Sequence, residues 1–440
     1  MQHKKHFLIA ILIVIFLIGG SKNTIVANTT IESSMENKAS AIAGPIRFEH
    51  YSVESGLPSN TVLYSVQDHE GFLWFATPEG LARFDGQNFR VFRTDKENDY
   101  SISHNNIFSL AVDQDGVLWV GTDGGGLNRY DAATESFKAF QFNENDPASL
   151  SNNSVWSLYV DADNQLWVGT RGGLNLFDRE AETFTAYQHD EDNRRSIAND
   201  VILGIEETAD GTLWVGTRTG LSRFDSESKD FTNYHHDPEN PDSLSDDQVW
   251  DIMEDRNGDL WLATRYGGLN RMDRSTETFE AYTHDENDPT TISHNAVFHV
   301  YEDSTGSFWV ATEAGGVNLF NRETGTFSRY QHDPNDSLTL SSDDIFWIME
   351  DDSGSIWFTS RRNGINQYVP AIQRFAYYHY SINQPMSLST NNVYALWGEG
   401  NGVYWIGTGG AGLDRVDTKR GSTFSFQHDP EDPKSLPNNT

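Results

Sequence analysis

One motif of twelve residues recurs along almost the whole chain. In its third copy it runs from Trp167 to Asp178 and reads Trp-Val-Gly-Thr-Arg-Gly-Gly-Leu-Asn-Leu-Phe-Asp. Its tryptophan returns every 45 to 48 residues, at Trp74, Trp119, Trp167, Trp214, Trp261, Trp309, Trp357 and Trp405. A fixed period of about 20–50 residues indicates a repeat architecture.

Each repeat contains four short apolar segments separated by turn residues. In the third copy they cover residues 155–160, 166–170, 174–177 and 184–187. Alternating and aromatic character over runs of this length is typical of strands. Because no helical period follows residue 45, we predict an all-β fold, a β-propeller of four-stranded blades.

The two ends of the repeat array suggest the size of the ring. Residues 46–51 resemble the fourth strand of a repeat that lacks its first three strands. Such a segment completes the last blade of a closed propeller and removes an exposed sheet edge. The motif breaks once, at Val369-Pro370. We therefore predict a seven-bladed propeller over 46–369 and, over 370–440, the first blade of a second, incomplete propeller that opens at 374–378; the alternative is one eight-bladed ring.

The turn before each tryptophan has its own pattern. Glycine or asparagine stands three residues before the tryptophan, as a backbone at positive φ demands. An acid stands six residues before it, and we interpret this acid as a turn cap rather than a calcium ligand. In the fourth repeat we expect one extra residue in this turn, with Glu207 in that place. The residue two positions after the tryptophan is small, which predicts close blade-to-blade packing over which the tryptophan lies. The same packing role is expected for the aromatic residues of the first strands.

The N-terminus resembles a targeting segment. Lys4 and Lys5 precede an apolar run from Phe7 to Ile18, which is short for a membrane span. We assign 1–27 to a signal peptide, with an uncleaved anchor as the alternative, and 28–45 to a flexible lead-in. The predicted location is the periplasm or the extracytoplasmic face of the inner membrane.

The charge of the chain excludes some partners. The sequence has 31 basic and 65 acidic residues, a formal net charge of −34. Nucleic-acid binding needs clustered lysine and arginine, so no nucleic acid is expected. The chain has no cysteine, which excludes thiolate metal sites. We expect no cofactor and no metal, and we interpret the histidines before Asp at the end of the fourth strands as surface-turn residues.

The first repeat resembles the two-component regulator propeller family. The residues that carry the likeness are Gly56-Leu57-Pro58-Ser59-Asn60, Asp68, Gly71, Trp74 and Arg83-Phe84-Asp85-Gly86, together with the Leu-Trp-Val-Gly-Thr units of later repeats. The resemblance implies an extracytoplasmic sensor region of a receptor. It also implies a second propeller, a β-sandwich, a membrane span and a cytoplasmic histidine kinase or diguanylate cyclase. On this reading the chain ends inside a ninth repeat and is a piece of a longer protein.

One turn varies between repeats, the turn between the second and third strands. In a propeller these turns share one face, so their arginines would form an anion-attracting rim in an acidic chain. Tyr266 would stack on a sugar ring. The alternative is that these arginines pair with nearby acids. The candidate ligand-binding residues are Arg171, Arg218, Arg265, Tyr266, Glu313, Arg361 and Arg362.

The predicted function is ligand sensing, with an extracellular ligand of glycan-like chemistry. No catalytic motif stands out, and the sequence shows no set of converging acid, base and arginine side chains for the central channel, so we expect no enzyme activity in this chain. We expect a homodimer in the full-length receptor, joined to the membrane through the N-terminal segment or the missing C-terminal part. The alternatives are a secreted propeller enzyme, such as a lyase or glycosidase, and an adhesion or scaffold module.

Overall fold

The computed structural model describes residues 46–371, 378–380 and 386–440. Within these ranges the fold is all-β: 32 strands form eight four-stranded antiparallel sheets, and one 3-10 turn, η1 (Val53–Ser55), interrupts them. The predicted signal peptide over 1–27 and the lead-in over 28–45 lie outside the described residues.

The first six complete sheets follow the chain in order, and each is one repeat. Blade 1 is β2–β5 (Tyr64–Gln67, Leu73–Thr77, Gly80–Phe84, Phe89–Phe92) and blade 2 is β6–β9 (Ile107–Val112, Leu118–Thr122, Leu127–Asp131, Ser136–Phe140). Blade 3 is β10–β13 (Val155–Val160, Leu166–Thr170, Gly173–Asp178, Thr183–Tyr187) and blade 4 is β14–β17 (Ile202–Glu207, Leu213–Thr217, Gly220–Phe224, Phe231–Tyr234). Blade 5 is β18–β21 (Val249–Glu254, Leu260–Thr264, Leu269–Asp273, Thr278–Tyr282) and blade 6 is β22–β25 (Val297–Glu302, Phe308–Thr312, Gly316–Asn321, Thr326–Tyr330).

The seventh blade joins the two ends of the ring. It contains β26–β28 (Ile345–Glu350, Ile356–Ser360, Ile365–Tyr368), and its fourth strand is β1 (Glu49–Tyr51) from the start of the chain. β1 pairs antiparallel with β28. Each innermost strand contacts the innermost strand of the next blade, and β26 contacts β2. This closure fits a ring of seven blades, and the predicted outer strand within residues 46–51 is present as β1 (Glu49–Tyr51).

The eighth sheet is β29–β32 (Val393–Gly400, Val403–Thr408, Leu413–Asp417, Ser422–Phe426). Large apolar side chains of this sheet are exposed, among them Tyr394 and Leu396, 69% and 67% accessible, and Trp397. In blades 1–7 the matching strands are covered by their neighbours. The assignment of 370–440 to a second propeller stays a prediction, and most of its proposed opening strand, residues 374–377, lies outside the described ranges.

Each blade tryptophan bridges to the following blade. Trp74 packs edge-on against Tyr130, on the third strand of blade 2, with ring centroids 5.0 Å apart. Trp357 of blade 7 meets Phe84 of blade 1 in the same way, which continues the pattern across the closure. The predicted blade-to-blade role of the tryptophans is therefore confirmed.

The acid before each tryptophan caps its turn and also binds the indole. In blade 3, Asp161 Oδ1 accepts the backbone N–H groups of Asp163 and Gln165, and Oδ2 accepts Trp167 Nε1–H at 2.8 Å. Asn164 in this turn has a φ of 63°. The capping prediction is confirmed, but the indole bond was not foreseen. Its geometry ties the turn to the blade core.

Blade 4 departs from this rule, and the prediction for Glu207 is wrong. Thr208 occupies the cap position, with its N–H on the carbonyl of Thr212. Its hydroxyl donates to Asp210, and the buried Nε1 of Trp214 has no hydrogen-bond partner among the described residues. Glu207 is the last residue of β14 and accepts instead from the N–H of Ala162 in blade 3. The repeat has no extra residue here.

The small residue after the tryptophan is required by the packing between strands and between blades. A Cβ on Gly169 would lie 2.0 Å from Ser157 Oγ and 2.7 Å from Ile202 of blade 4. Both distances are too short for a real contact, so the predicted close approach is confirmed. Within the described ranges, no helix has the length and apolarity needed to cross a bilayer.

Candidate functional site

The innermost strands surround the ring axis and carry a β-bulge at their start. In β10 the pairing register shifts between Val155 and Ser157, and the innermost strands of blades 2 and 4–7 shift at the same place. A bulge lets two consecutive side chains face one side of a sheet. The second position supplies what we call the collar: Phe108, Trp156, Leu203, Trp250, Phe298 and Phe346. The third position supplies the bulge ring: Tyr64, Ser109, Ser157, Gly204, Asp251, His299 and Trp347.

The collar constricts the channel. Its six residues, with Tyr64 and Trp347, enclose a cavity of only about 30 Å³. Phe108 stacks on Trp156 at 5.1 Å, and Phe298 lies 4.9 Å from Phe346. These side chains contact the neighbouring blade, as expected, but they also line the axis. The eighth-sheet counterpart, Tyr394, is exposed.

Three of the predicted rim arginines lie over the collar. The guanidinium of Arg171 stands 5.3 Å from the ring of Trp156. Those of Arg265 and Arg361 stand 5.4 and 5.3 Å from the ring of Phe298. The structure therefore places arginines of blades 3, 5 and 7 at one end of the channel.

Glu313 binds two of these arginines. Arg265 Nη1 lies 2.9 Å from Glu313 Oε2, and Arg361 Nη1 lies 3.5 Å from Oε1. Burial alone would lower the pKa of Arg265, but its hydrogen bonds to Tyr266 and Glu313 raise it, so this guanidinium stays charged. One carboxylate shared by two arginines leaves a net positive charge at this point.

The remaining predicted residues lie apart from this cluster. Arg362 contacts Asp344 at 3.3 Å and its side chain is 77% exposed. Tyr266 is 67% exposed, with Arg265 over its ring at 5.3 Å. Arg218 is exposed, and its side chain has no ion-pair partner in the part of the chain that the structure describes. The rim is thus a mixture of paired and free arginines.

Beyond the collar the channel widens into a cavity of about 850 Å³, which we call the lower channel. It reaches from the bulge ring to the turns that join the first and second strands. Its lining includes the titratable side chains of Tyr64, Tyr159, Glu206, Asp251 and His299. These residues come from separate repeats, so the sequence did not show that they line one cavity.

Four bulge-ring side chains form a continuous arc. The rings of Tyr64 and Trp347 stack at 3.7 Å, and those of Trp347 and His299 lie 3.6 Å apart. His299 Nε2 is 3.6 Å from Asp251 Oδ2, too long for a hydrogen bond. Asp251 Oδ2 accepts the N–H of Val300 at 3.0 Å. The arc spans blades 5, 6, 7 and 1.

Burial shifts the pKa values of the arc towards neutral side chains. Burial raises the pKa of Asp251 to about 7. Burial and the charge of Asp251 raise the pKa of Glu206 to about 8. Burial also lowers the pKa of His299 to about 3, so its imidazole is neutral near pH 7. Among the described residues, no lysine or arginine forms an ion pair with Asp251 or Glu206 that would favour the charged carboxylate.

A sequence signal for the bulge ring exists in the pairing. Gly121 and Gly169 face Ser109 and Ser157, whereas Ala263 faces Asp251. Across the chain, glycine pairs with Ser109, Ser157 and Gly204, while alanine or threonine pairs with Tyr64, Asp251, His299 and Trp347. In two of the three glycine blades, a serine Oγ lies within 2.2 Å of where the glycine Cβ would be, so the serine occupies that space. Repeats with alanine or threonine two positions after the tryptophan are therefore the ones that place a large side chain in the channel.

A second set of acids, at the ends of the innermost strands, is structural. Each of these acids accepts a hydrogen bond from a turn N–H of the preceding blade, and in blade 1 a glutamine does the same. The pairs are Glu207 with Ala162, Glu254 with Ala209, Glu302 with Arg256, Glu350 with Ser304, and Gln67 with Asp352. We call these contacts the blade clamps. Since Gln67 makes the same bond, the clamp needs an acceptor and not a charge.

The repeated histidines have a local role. His189 Nδ1 bonds to the carbonyl of Ile197 at 2.8 Å, and His236 bonds to that of Leu244 at 2.7 Å. They fasten the loop that follows the fourth strand, as their repeat position predicts. Among the described residues, no group of three or more His, Cys, Asp and Glu is placed to hold a metal ion.

A family model and a known protein sequence match parts of this chain. The model of the two component regulator propeller family matches residues 56–79, 101–124, 149–172, 196–219 and 243–266. A histidine kinase P4 of Formosa agariphila is 38% identical over 56 residues, which are 13% of this chain and 4% of that protein.

Solved structures extend the likeness. The extracellular domain assigned to the hybrid two component system BT3049 from B. thetaiotaomicron is 27% identical, with a TM-score of 0.69 over 87% of this chain. The aligned part is 49% of that domain, so this chain spans about half its length. Streptogramin B lyase shares the fold alone, with 15% identity and a TM-score of 0.52 over 73% of this chain and 96% of that chain. The repeats, the blade architecture and the family match agree: five stretches of this chain, within residues 56–266, match the two-component regulator propeller family.

Proposed function

We propose that this propeller is the extracytoplasmic sensor region of a membrane signal-transduction receptor. The proposal is supported by the family and by the similarity to an extracellular domain of a two component system. In the full-length protein a cytoplasmic histidine kinase or diguanylate cyclase would receive the signal. Ligand binding would favour one docking arrangement of two chains, because a ligand shifts an equilibrium only by its differential affinity for the two states.

The rim above the collar is the proposed docking face for an anionic glycan. The single observation that carries this proposal is that Arg171, Arg265 and Arg361 all lie over aromatic side chains of the collar. Guanidinium groups bind carboxylates and sulfates in a fixed two-pronged geometry. The exposed ring of Tyr266 beside Arg265 offers a face for a sugar.

The carboxylate of Glu313 makes Arg265 and Arg361 less available to a ligand. Glu313 already occupies one side of Arg265 and Arg361, so an anionic ligand would compete with it there. Arg171 and Arg218 carry no such pairing among the described contacts. We therefore expect the ligand's acidic groups to favour the Arg171 and Arg218 side of the rim.

Isothermal titration with oligogalacturonate, and with the matching neutral galacto-oligosaccharide, tests the rim. The variant R171A/R218A/R265A should lose at least tenfold in affinity for the anionic sugar. The control K138A/K419A/R420A removes the same charge from exposed positions on an outer strand and on a turn between third and fourth strands, away from the rim. Equal affinities of the two variants, or equal binding of the neutral sugar by the wild type, would remove the rim from the proposal.

A separate experiment addresses the placement and the output. The natural full-length protein should present this propeller outside the cytoplasmic membrane, so proteinase K should cleave it in spheroplasts while a cytoplasmic marker stays intact. Protection of the propeller in intact spheroplasts would contradict the sensor proposal, whatever the rim binds.

A further inference from the structure

We propose that the lower channel is a second binding site, independent of the rim, and that it takes a small organic molecule with a protonated amine. The site is formed by Asp251, Glu206, His299, Tyr64 and Trp347. Its ligand is opposite in charge to the one proposed for the rim.

The shape of the lower channel suits a small molecule. Its volume of about 850 Å³ lies within the range of about 300–1,000 Å³ that is typical of ligand sites. The collar narrows the axis at one end to a cavity of about 30 Å³. Entry is therefore from the side of the turns between the first and second strands.

The site has two buried carboxyl groups with no cationic partner among the described residues. Asp251 and Glu206 line the cavity, and neither has a lysine or arginine partner among the described contacts. Arg256 is the single arginine or lysine among the lining residues of the described chain, and Glu302 holds its Nε at 2.7 Å. A buried carboxylate without a cation is costly unless something neutralises it. A ligand cation would do so.

A polar atom with no partner points to the same conclusion. His299 is 5% exposed and lines the cavity, yet its Nδ1 has no hydrogen-bond partner within the described residues. Buried polar atoms are paired in the great majority of cases, so an unpaired one at a cavity wall suggests a missing ligand. Since the imidazole is neutral, one of its nitrogens can accept a hydrogen bond from an N–H donor.

The aromatic walls favour an organic cation over other ligands. The stacked rings of Tyr64 and Trp347 and the indoles of Trp156 and Trp250 line the cavity. Ammonium groups bind to such π faces. A calcium ion would need six to eight oxygen ligands at about 2.3–2.6 Å, and the acids here do not cluster in that way. The acidic lining repels anions.

Titration calorimetry with putrescine, spermidine and methylammonium, at pH 7.5 and low salt, tests this site on the whole chain. 1,4-Butanediol serves as the neutral analogue of putrescine. We expect saturable binding of at least one amine and none of the diol. The double variant E206Q/D251N should bind that amine at least tenfold more weakly.

A matched control distinguishes amine binding in the channel from general attraction of amines to the acidic protein surface. E144Q/E227Q removes the same two charges from exposed side chains and should bind as the wild type does. Equal weakening in both double variants would show attraction to the whole surface and would overturn the proposal. Failure of all three amines to bind the wild type would overturn it as well.

Proton release gives a measurement that needs no variant. Amine binding should favour the charged forms of Asp251 and Glu206. Their titratable neighbours are Tyr64, Tyr159, Glu207, Glu254 and His299. Titrations of the wild type in two buffers of different ionisation enthalpy should then show protons released, and the affinity should rise from pH 6 to pH 8. Binding with no proton release and no pH dependence would place the amine elsewhere. Neither result depends on the glycan experiment at the rim.

Discussion

The indole Nε1 of Trp309 donates a 2.8 Å hydrogen bond to Oδ2 of Asp303, six residues earlier in the chain. The other oxygen of Asp303 accepts the N–H groups of Thr305 and Ser307. One carboxylate thus fixes the turn and satisfies the only polar atom of a fully buried tryptophan. The same pairing is present in six of the seven blades, from Asp68–Trp74 to Asp351–Trp357.

Replacing Asp303 with alanine should destabilise the propeller. The change leaves the indole and two turn N–H groups without acceptors, and we expect a loss of about 2–4 kcal/mol in the free energy of unfolding. Urea unfolding followed by tryptophan fluorescence measures it. The control is Asp429→Ala, since Asp429 accepts a bond from an exposed turn N–H. A loss at Asp303 no larger than at Asp429 would mean that the indole bond adds nothing.

Blade 4 offers the reverse experiment. Thr208→Asp supplies the acceptor that Trp214 lacks, and we expect a gain of about 1 kcal/mol in the free energy of unfolding. Asp210 stands two residues later, but blade 3 carries Asp161 and Asp163 at the matching positions. The urea midpoint should rise.

Thr208→Val is the matched control, because it removes the hydroxyl without adding an acceptor. It should lower the midpoint. If the Asp and Val variants shift it in the same direction, the missing indole bond is not what distinguishes blade 4.

The blade clamp at Glu207 should depend on an acceptor and not on charge. Glu207→Gln should leave the free energy of unfolding within about 0.5 kcal/mol of the wild-type value, because Gln67 makes the equivalent bond. Glu207→Ala leaves the N–H of Ala162 without this acceptor and should cost about 1 kcal/mol. Chemical denaturation of the two variants side by side measures the difference. A glutamine variant as unstable as the alanine variant would show that the carboxylate charge matters.

The two buried acids of the lower channel, Asp251 and Glu206, should make the free energy of unfolding of the propeller fall as pH rises. The folded pKa values of Asp251 and Glu206, about 7 and about 8, lie above those of the unfolded chain. Between pH 4 and pH 8 the folded state therefore binds more protons than the unfolded state. Stability is lost as pH rises through this range. His299, with a folded pKa of about 3, acts in the opposite sense only below about pH 6.5.

Unfolding at pH 6.5 and pH 8.5 isolates this effect of the two acids. The wild type should lose about 2–3 kcal/mol more than E206Q/D251N over that interval. The variant E144Q/E227Q should behave as the wild type does. Parallel pH profiles of the wild type and E206Q/D251N would show that the two carboxyls titrate normally.

The blade architecture was predictable because the four strands of blades 1–6 are consecutive in the sequence. The strand pattern, the positive-φ residue of the turn and the acid before the tryptophan all lie within about fifteen residues of each other. The rim was partly predictable, since a fixed turn in every repeat must appear on one face. The structure added that Glu313 binds Arg265 and Arg361, a contact between blades.

The sequence by itself determined the repeat, the four strands of each blade, the turn caps and the strand from the N-terminus that completes a blade. Only the tertiary structure decided which side chains face the axis, because a bulge turns one extra residue inward in the innermost strands of blades 2–7. Asp251 and His299 lie 48 positions apart in the chain and meet only when neighbouring blades pack. The shifted pKa values follow from burial in that closed ring, and burial is a property of the assembled blades.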